Sequence, residues 1–184
     1  RAYADKVGRP LAAAQLVYNG VSEGEYEPVG TAPGASDLLC VGEMRHLKGT
    51  DVFLDAVAAL IRAGRPVTAT LVGPGTERPR YEAMVAEAGI ADRVTFHDSM
   101  PIRRALTLGR VVVVPSRAES LPYVVLETIA AGKPLVATAV GGIPEIFGPA
   151  AGRLVAPGEV EPLADAMAAA LADPVGTQAA ADGL

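Results

Sequence analysis

The sequence predicts an α/β domain built on a parallel, doubly wound sheet. Strand-like runs alternate with helical stripes along most of the chain, which is the pattern of such sheets. Val111–Val114 is a run of four β-branched residues between Arg110 and Pro115, as suits a central strand covered on both faces. Gly and Pro mark nearly every change of period, at Gly64, Gly73-Pro74-Gly75, Gly89 and Gly132.

Taken in order, residues 1–9 read as a short helix and Asn19-Gly20-Val21 as a turn. Glu23 to Ser36, rich in Gly, Pro and acidic residues, reads as an aperiodic linker. Residues 1–36 are therefore expected to be an appendage and linker, 37–173 the domain, and 174–184 a frayed tail. Asp37–Gly42 is the first expected strand. A helix follows from Thr50 or Asp51, either of which could cap it. Phe53, Ala56, Val57, Leu60 and Ile61 give that helix one apolar face. Val67–Val72 is the second expected strand, and Tyr81, Met84, Val85 and Ala88 form the next stripe. Arg93–Phe96 is a short third strand, and Ile102–Leu108 a short helix leading to Val111–Val114. Pro115 ends that strand because it has no N–H to give. Pro122 fits the first turn of the next helix, which Gly132 closes. Pro134–Thr138 is a fifth strand and Pro144 starts a short helix. Arg153–Val155 is expected as a sixth strand. Val160, Leu163, Ala164, Met167 and Leu171 stripe a last helix from about Pro162.

The bulk numbers narrow the function. With 184 residues, half of them hydrophobic, the chain can bury a good-sized core. A net charge of −5 with no Lys/Arg-rich run argues against a nucleic-acid surface. The single cysteine, Cys40, lies in the apolar run Leu38–Val41 and reads as a small core residue of a cytosolic protein. No apolar stretch approaches the roughly 20 residues that span a bilayer. The opening Arg-Ala-Tyr-Ala-Asp-Lys is not a signal peptide, and without an initiator Met the sequence is expected to be a fragment of a longer protein. No Asp-x-Asp and no His/Cys/carboxylate cluster at ligand spacing occurs, so no catalytic metal is expected.

The chemistry concentrates around the run Val111–Val114. Glu119 falls in the loop at the carboxyl end of that strand, where open α/β sheets bind ligands, and Glu127 projects from the helix that follows. The loop Gly42–Gly49 offers Arg45 and Lys48 just before a helix N-terminus, where free N–H groups and the helix dipole favour a phosphate.

The two glutamates, seven residues apart, stand in Arg117-Ala-Glu-Ser-Leu-Pro-Tyr-Val-Val-Leu-Glu127, with Gly132-Lys133-Pro134 and Gly141-Gly142-Ile143-Pro144-Glu145 beyond. This resembles the donor-binding signature of retaining GT-B glycosyltransferases of the group 1 (GT4) family. The resemblance covers roughly residues 15 to 173 and matches the C-terminal, Rossmann-like half of such an enzyme. Asn19-Gly20-Val21 matches the place where that family passes from its N-terminal domain to this one.

The resemblance implies that Lys48 contacts the diphosphate of a nucleotide-sugar donor and that Glu127 accepts from the ribose hydroxyls. It sets Glu119 beside the donor sugar and its departing diphosphate, so Glu119 and Lys48 are the expected catalytic residues. Where the family has Arg after the strand-ending Gly, this chain has Glu43, and Arg45 is expected to stand in. Backbone N–H groups of Leu121 and Tyr123 are expected to hold sugar and phosphates, whereas Pro122 cannot donate. His97, after the third strand, is either a base contact or a solvated loop histidine.

By resemblance the donor is the substrate and no cofactor or metal is needed. The acceptor, a glycan or lipid, would sit on the missing N-terminal domain. A cytoplasmic enzyme is implied, with peripheral contact at the inner membrane face through the missing half left open. Two other readings remain at this point: a nucleotide-sugar epimerase of GT-B fold, and a non-catalytic assembly module whose site has decayed.

Overall fold

The computed structural model describes residues 20–182, so the expected helix at 1–9 and Asn19 lie outside the described residues. Five strands form one sheet in the order β3-β2-β1-β4-β5. They are β1 (Ser36–Val41), β2 (Ala69–Val72), β3 (Val94–His97), β4 (Gly109–Val114) and β5 (Leu135–Ala137). Every pairing is parallel. The helices are α1 (Thr50–Arg62), α2 (Arg78–Glu87), α3 (Ile102–Leu106), α4 (Tyr123–Ala130), α5 (Ile143–Phe147), α6 (Val160–Ala172) and α7 (Pro174–Asp182).

Strand side chains alternate between two faces, and the core splits accordingly. Leu38, Leu71, Val111, Val113 and Val136 face a cluster that includes Phe53 and Val57 of α1, Tyr81 of α2 and Met167 of α6. Leu39, Val72, Val112, Val114 and Leu135 face Leu106 of α3, Val125 of α4, and Ile143 and Phe147 of α5. Helices therefore cover both faces, which is why Val111–Val114 is apolar throughout rather than alternating. The expected fold class is the one found.

The chain winds outward from β1 through β2 to β3, then returns to lay β4 on the other side of β1. The order reverses between β1 and β4. A crevice opens there beyond the carboxyl ends of the two strands, the place where such sheets take ligands.

Several expectations need correction. The sixth strand, Arg153–Val155, reduces to one isolated parallel bridge between Thr138 and Val155. A 3-10 turn occupies Gly148–Arg153, and Pro157 follows closely, so only Val155 is free to pair. Thr50 and Asp51 do not cap α1. Its N-cap is Gly49 at φ 68°, with no side-chain cap. A Cβ there would stand 2.0 Å from the Pro115 carbonyl oxygen, so both the conformation and the close approach require glycine. Pro122 sits just before α4 in extended conformation, not within its first turn.

The tail is also not frayed where described, because Pro174–Asp182 is helical. Asp173 accepts from the Gly176 N–H at 2.9 Å and Pro174 opens the helix, a start signal that stands without any apolar stripe. The linker holds a 3-10 turn at Glu23–Tyr26 and is strapped to the domain. Val29 donates to the Ala131 carbonyl at 2.9 Å, and the buried Lys133 ammonium donates to Thr31 Oγ1 at 2.9 Å.

Candidate functional site

The cleft at the β1/β4 switch has a volume of about 470 Å³. One wall is the loop after β1, with Gly42 to Arg45 and Lys48, and the other runs from Pro115 and Ser116 to Glu119 and on to α4. Met100 and Ile102 supply apolar surface, while Tyr123 and Glu127 come from α4. The first wall is packed tightly on the turn after β2. A Cβ on Gly73 would stand 2.0 Å from the Gly42 carbonyl oxygen, and Gly73 has φ 152°.

Lys48 and Glu119 meet in this cleft although 71 residues separate them in sequence. The Lys48 ammonium donates to Glu119 Oε1 at 2.6 Å and Oε2 at 2.8 Å. Ser116 Oγ donates to the same Oε1 at 2.6 Å. The Glu119 side chain is only 8% exposed and that of Lys48 26%, so one end of the pair is solvated and the other is not. A carboxylate so buried needs these donors.

The Glu119 loop is backed by the turn after β5. Gly142 N–H donates to the Ser120 carbonyl at 2.8 Å. Gly141, at φ +55°, leaves no room for a side chain: a Cβ there would be 2.0 Å from the Glu119 carbonyl oxygen. Gly141→Ala is therefore expected to lower stability by about 1–3 kcal/mol and to push the Glu119 loop out of place. Chemical denaturation checks this, and an unchanged midpoint would contradict it.

Glu127 lines the same cleft. Burial, and secondarily the charge of Glu25 in the linker turn, raise its carboxyl above the ordinary glutamate value. Burial also pushes the Cys40 thiol up to about 12, which makes it inert although it borders the cleft.

Five of the seven residues expected at the site line the cleft: Arg45, Lys48, Glu119, Tyr123 and Glu127. Arg45 does so with its charge engaged, since its Nε lies 3.1 Å from Glu43 Oε2 and both side chains are about half exposed. Leu121 does not line the cleft, and its side chain lies over Gly142 instead. His97 is the last residue of β3 and is not among the cleft residues. Sequence reasoning missed Ser116, Arg117 and Asp51. Arg117 Nη1 donates to Asp51 Oδ1 at 2.6 Å and Nη2 to Oδ2 at 2.9 Å. The only sequence signal was an arginine two residues before Glu119.

This architecture is shared with solved glycosyltransferase structures, which defines the class as the Rossmann-like half of a GT-B fold. Sucrose-phosphate synthase from Thermosynechococcus elongatus matches with a TM-score of 0.77 and 28% identity, over 98% of this chain and 49% of that one. The C-terminal domain of a group 1 family protein (LpcC) from Francisella tularensis matches in fold with a TM-score of 0.74 and 24% identity, over 89% and 93%.

Residues 35–173 match the model of the family "Glycosyl transferases group 1", and the chain belongs to that family. Among curated relatives, the alpha-D-kanosaminyltransferase of Streptomyces kanamyceticus is 35% identical over 74% of this chain and 36% of its own length. The 2-deoxystreptamine glucosyltransferase of the same organism is 39% identical over 73% and 36%. The chain thus spans about a third of the length of these relatives. Among the described residues, no helix is long and apolar enough to cross a membrane.

Proposed function

We propose that this chain is the donor-binding domain of a retaining glycosyltransferase that takes a nucleoside diphospho-sugar. What carries the reading is the convergence of Lys48, Glu119 and Glu127 on one cleft beyond the carboxyl ends of β1 and β4. In this reading Glu127 accepts from both ribose hydroxyls, each charge-assisted bond being worth about 1.5–3 kcal/mol. The Lys48 ammonium, 26% exposed on its side chain, meets the diphosphate without giving up the shielded Glu119 carboxylate. Tyr123 opens α4 and lines the cleft, so in this reading the helix N-terminus contributes to binding the same anion. Arg45 completes the phosphate site by exchanging Glu43 for a donor oxygen, and no resident metal is invoked.

Glu119 is set beside the sugar, where its charge stabilises positive charge developing at the anomeric carbon. Catalysis in this account is positioning plus stabilisation of the leaving diphosphate. The acceptor, a glycan or a lipid-linked sugar, belongs to the part of the protein beyond this chain. A cytoplasmic location goes with that reading.

A thermal-shift screen of nucleotide sugars on the full-length protein identifies the donor. Nuclear magnetic resonance of the product then reports its anomeric configuration. Retention of the donor's configuration is expected, and an inverted product would contradict the retaining assignment. The Glu43–Arg45 pair is the one observation favouring a non-catalytic module, since it already neutralises a cation that the donor would use. No binding of any donor across the screen, on folded protein, would support that second reading.

A further inference from the structure

Arg117 stands two residues before Glu119 yet does not line the cleft. Its guanidinium turns away toward the turn that carries Lys48. While Nη1 and Nη2 each hold one oxygen of Asp51, Nη1 also donates to the His46 carbonyl at 2.9 Å. The Arg117 backbone N–H donates to the next carbonyl, that of Leu47, at 2.9 Å. One residue of the Glu119 loop thus holds two consecutive carbonyls of the 3-10 turn His46–Lys48 and the first turn of α1.

The turn is gripped from its other side as well. Glu77 Oε1 accepts from the His46 N–H at 3.0 Å, and the Tyr81 hydroxyl donates to Glu77 Oε2 at 3.1 Å. Within the turn the only bonds are Lys48 N–H to the Arg45 carbonyl and Gly49 N–H to the His46 carbonyl. A single 3-10 turn is too short to hold its shape on two such bonds. The Arg117–Asp51 pair is bidentate, with side chains only 24% and 13% exposed, so it is not an ordinary solvated surface bridge. The planar guanidinium fork holds both carboxylate oxygens and the carbonyl at fixed angles, a geometry that a lysine ammonium, a compact charge on a flexible stem, fixes less well.

We infer that Arg117 is a positioning residue for the phosphate site. It fixes the turn so that the Lys48 ammonium rests against Glu119 with its remaining donor free for the diphosphate. This inference rests on the donor-binding reading above. Arg117 itself touches no ligand and acts through Lys48.

The test compares Arg117→Ala and Arg117→Lys with Arg110→Ala in the 184-residue chain. Arg110 makes a similar ion pair, to Asp37 at 3.0 Å, at the other end of β4 from the cleft. The first measurement is amide hydrogen exchange at Lys48 and Gly49. The second is the affinity ratio of a nucleoside diphosphate to its nucleoside, by calorimetry with UDP and uridine and with GDP and guanosine.

Arg117→Ala is expected to speed exchange at both amides and to lower the affinity ratio, each by about tenfold, with nucleoside affinity unchanged. Arg117→Lys should recover part of the ratio, and Arg110→Ala should change neither quantity. If Arg117→Ala fails to fold, Arg117→Lys and Asp51→Asn carry the same comparison. Exchange and ratio indistinguishable from those of Arg110→Ala would overturn the inference. If the unaltered chain binds neither diphosphate more tightly than its nucleoside, the donor reading fails and the phosphate role of Arg117 falls with it. Fast exchange in Arg117→Ala would then show only that it holds the turn.

Discussion

Replacing Lys48 with alanine should weaken binding of a nucleoside diphosphate by about ten- to a hundredfold and leave the nucleoside nearly unaffected. Two effects add in the same direction. The ammonium that faces the phosphates is lost, and with it a charge-assisted contact. The Glu119 carboxylate, 8% exposed on its side chain, then keeps Ser116 Oγ as its one remaining side-chain donor and presents an uncompensated negative charge to the incoming anion. The same substitution should lower folding stability, because half-broken buried pairs cost more than absent ones. Calorimetry with a nucleoside and its diphosphate separates these contributions. Equal losses for the two ligands would show that Lys48 does not touch phosphate.

Glu127→Gln has the opposite signature, and its two effects point apart. Affinity for the nucleoside itself should fall by about tenfold, since a neutral amide accepts more weakly from the ribose hydroxyls. Stability should nevertheless rise at neutral pH. The folded protein holds the Glu127 carboxyl above its ordinary value, by burial first and by Glu25 second, so ionisation works against folding. A group whose folded value is raised contributes stability that is present below its unfolded value and lost as pH rises through the folded one. The unaltered chain carries that loss at neutral pH, and the glutamine variant does not.

The same shift sets a pH dependence for binding. Nucleoside affinity should begin to fall, on acidification, at a higher pH than an ordinary glutamate would give, and it should be flat in Glu127→Gln. Thermal denaturation and nucleoside titration across pH check both statements. A variant that loses stability and keeps its nucleoside affinity would contradict the role given to Glu127.

The fold was legible where a physical constraint acts locally. Val111–Val114 is apolar at every position because helices cover both faces, and that alone marked it as a buried strand. Gly132 marked the end of α4 because only glycine sits easily at φ +63°. The misses have equally local causes. Arg153–Val155 has strand composition, yet a 3-10 turn and Pro157 leave it a single bridging residue. Helix α7 lacks an apolar stripe and begins on the Asp173-Pro174 cap, which periodicity does not register.

For the site, the pair Glu119 and Glu127 was legible because one strand–loop–helix unit carries both. Lys48 was legible as a cation placed just before a helix N-terminus. Arg117 was not, because its partners lie 66 and 71 residues away and only the fold brings them together. His97 and Leu121 were assigned by analogy of position, and neither lines the cleft that holds the rest.

The most direct measurement is a calorimetric titration of the folded chain with UDP and with GDP, each beside its nucleoside. Saturable heat is expected for one of the two bases, with the diphosphate binding at least about tenfold more tightly than the nucleoside. No heat from either diphosphate, on protein shown to be folded, would contradict the claim that this cleft receives a nucleotide donor.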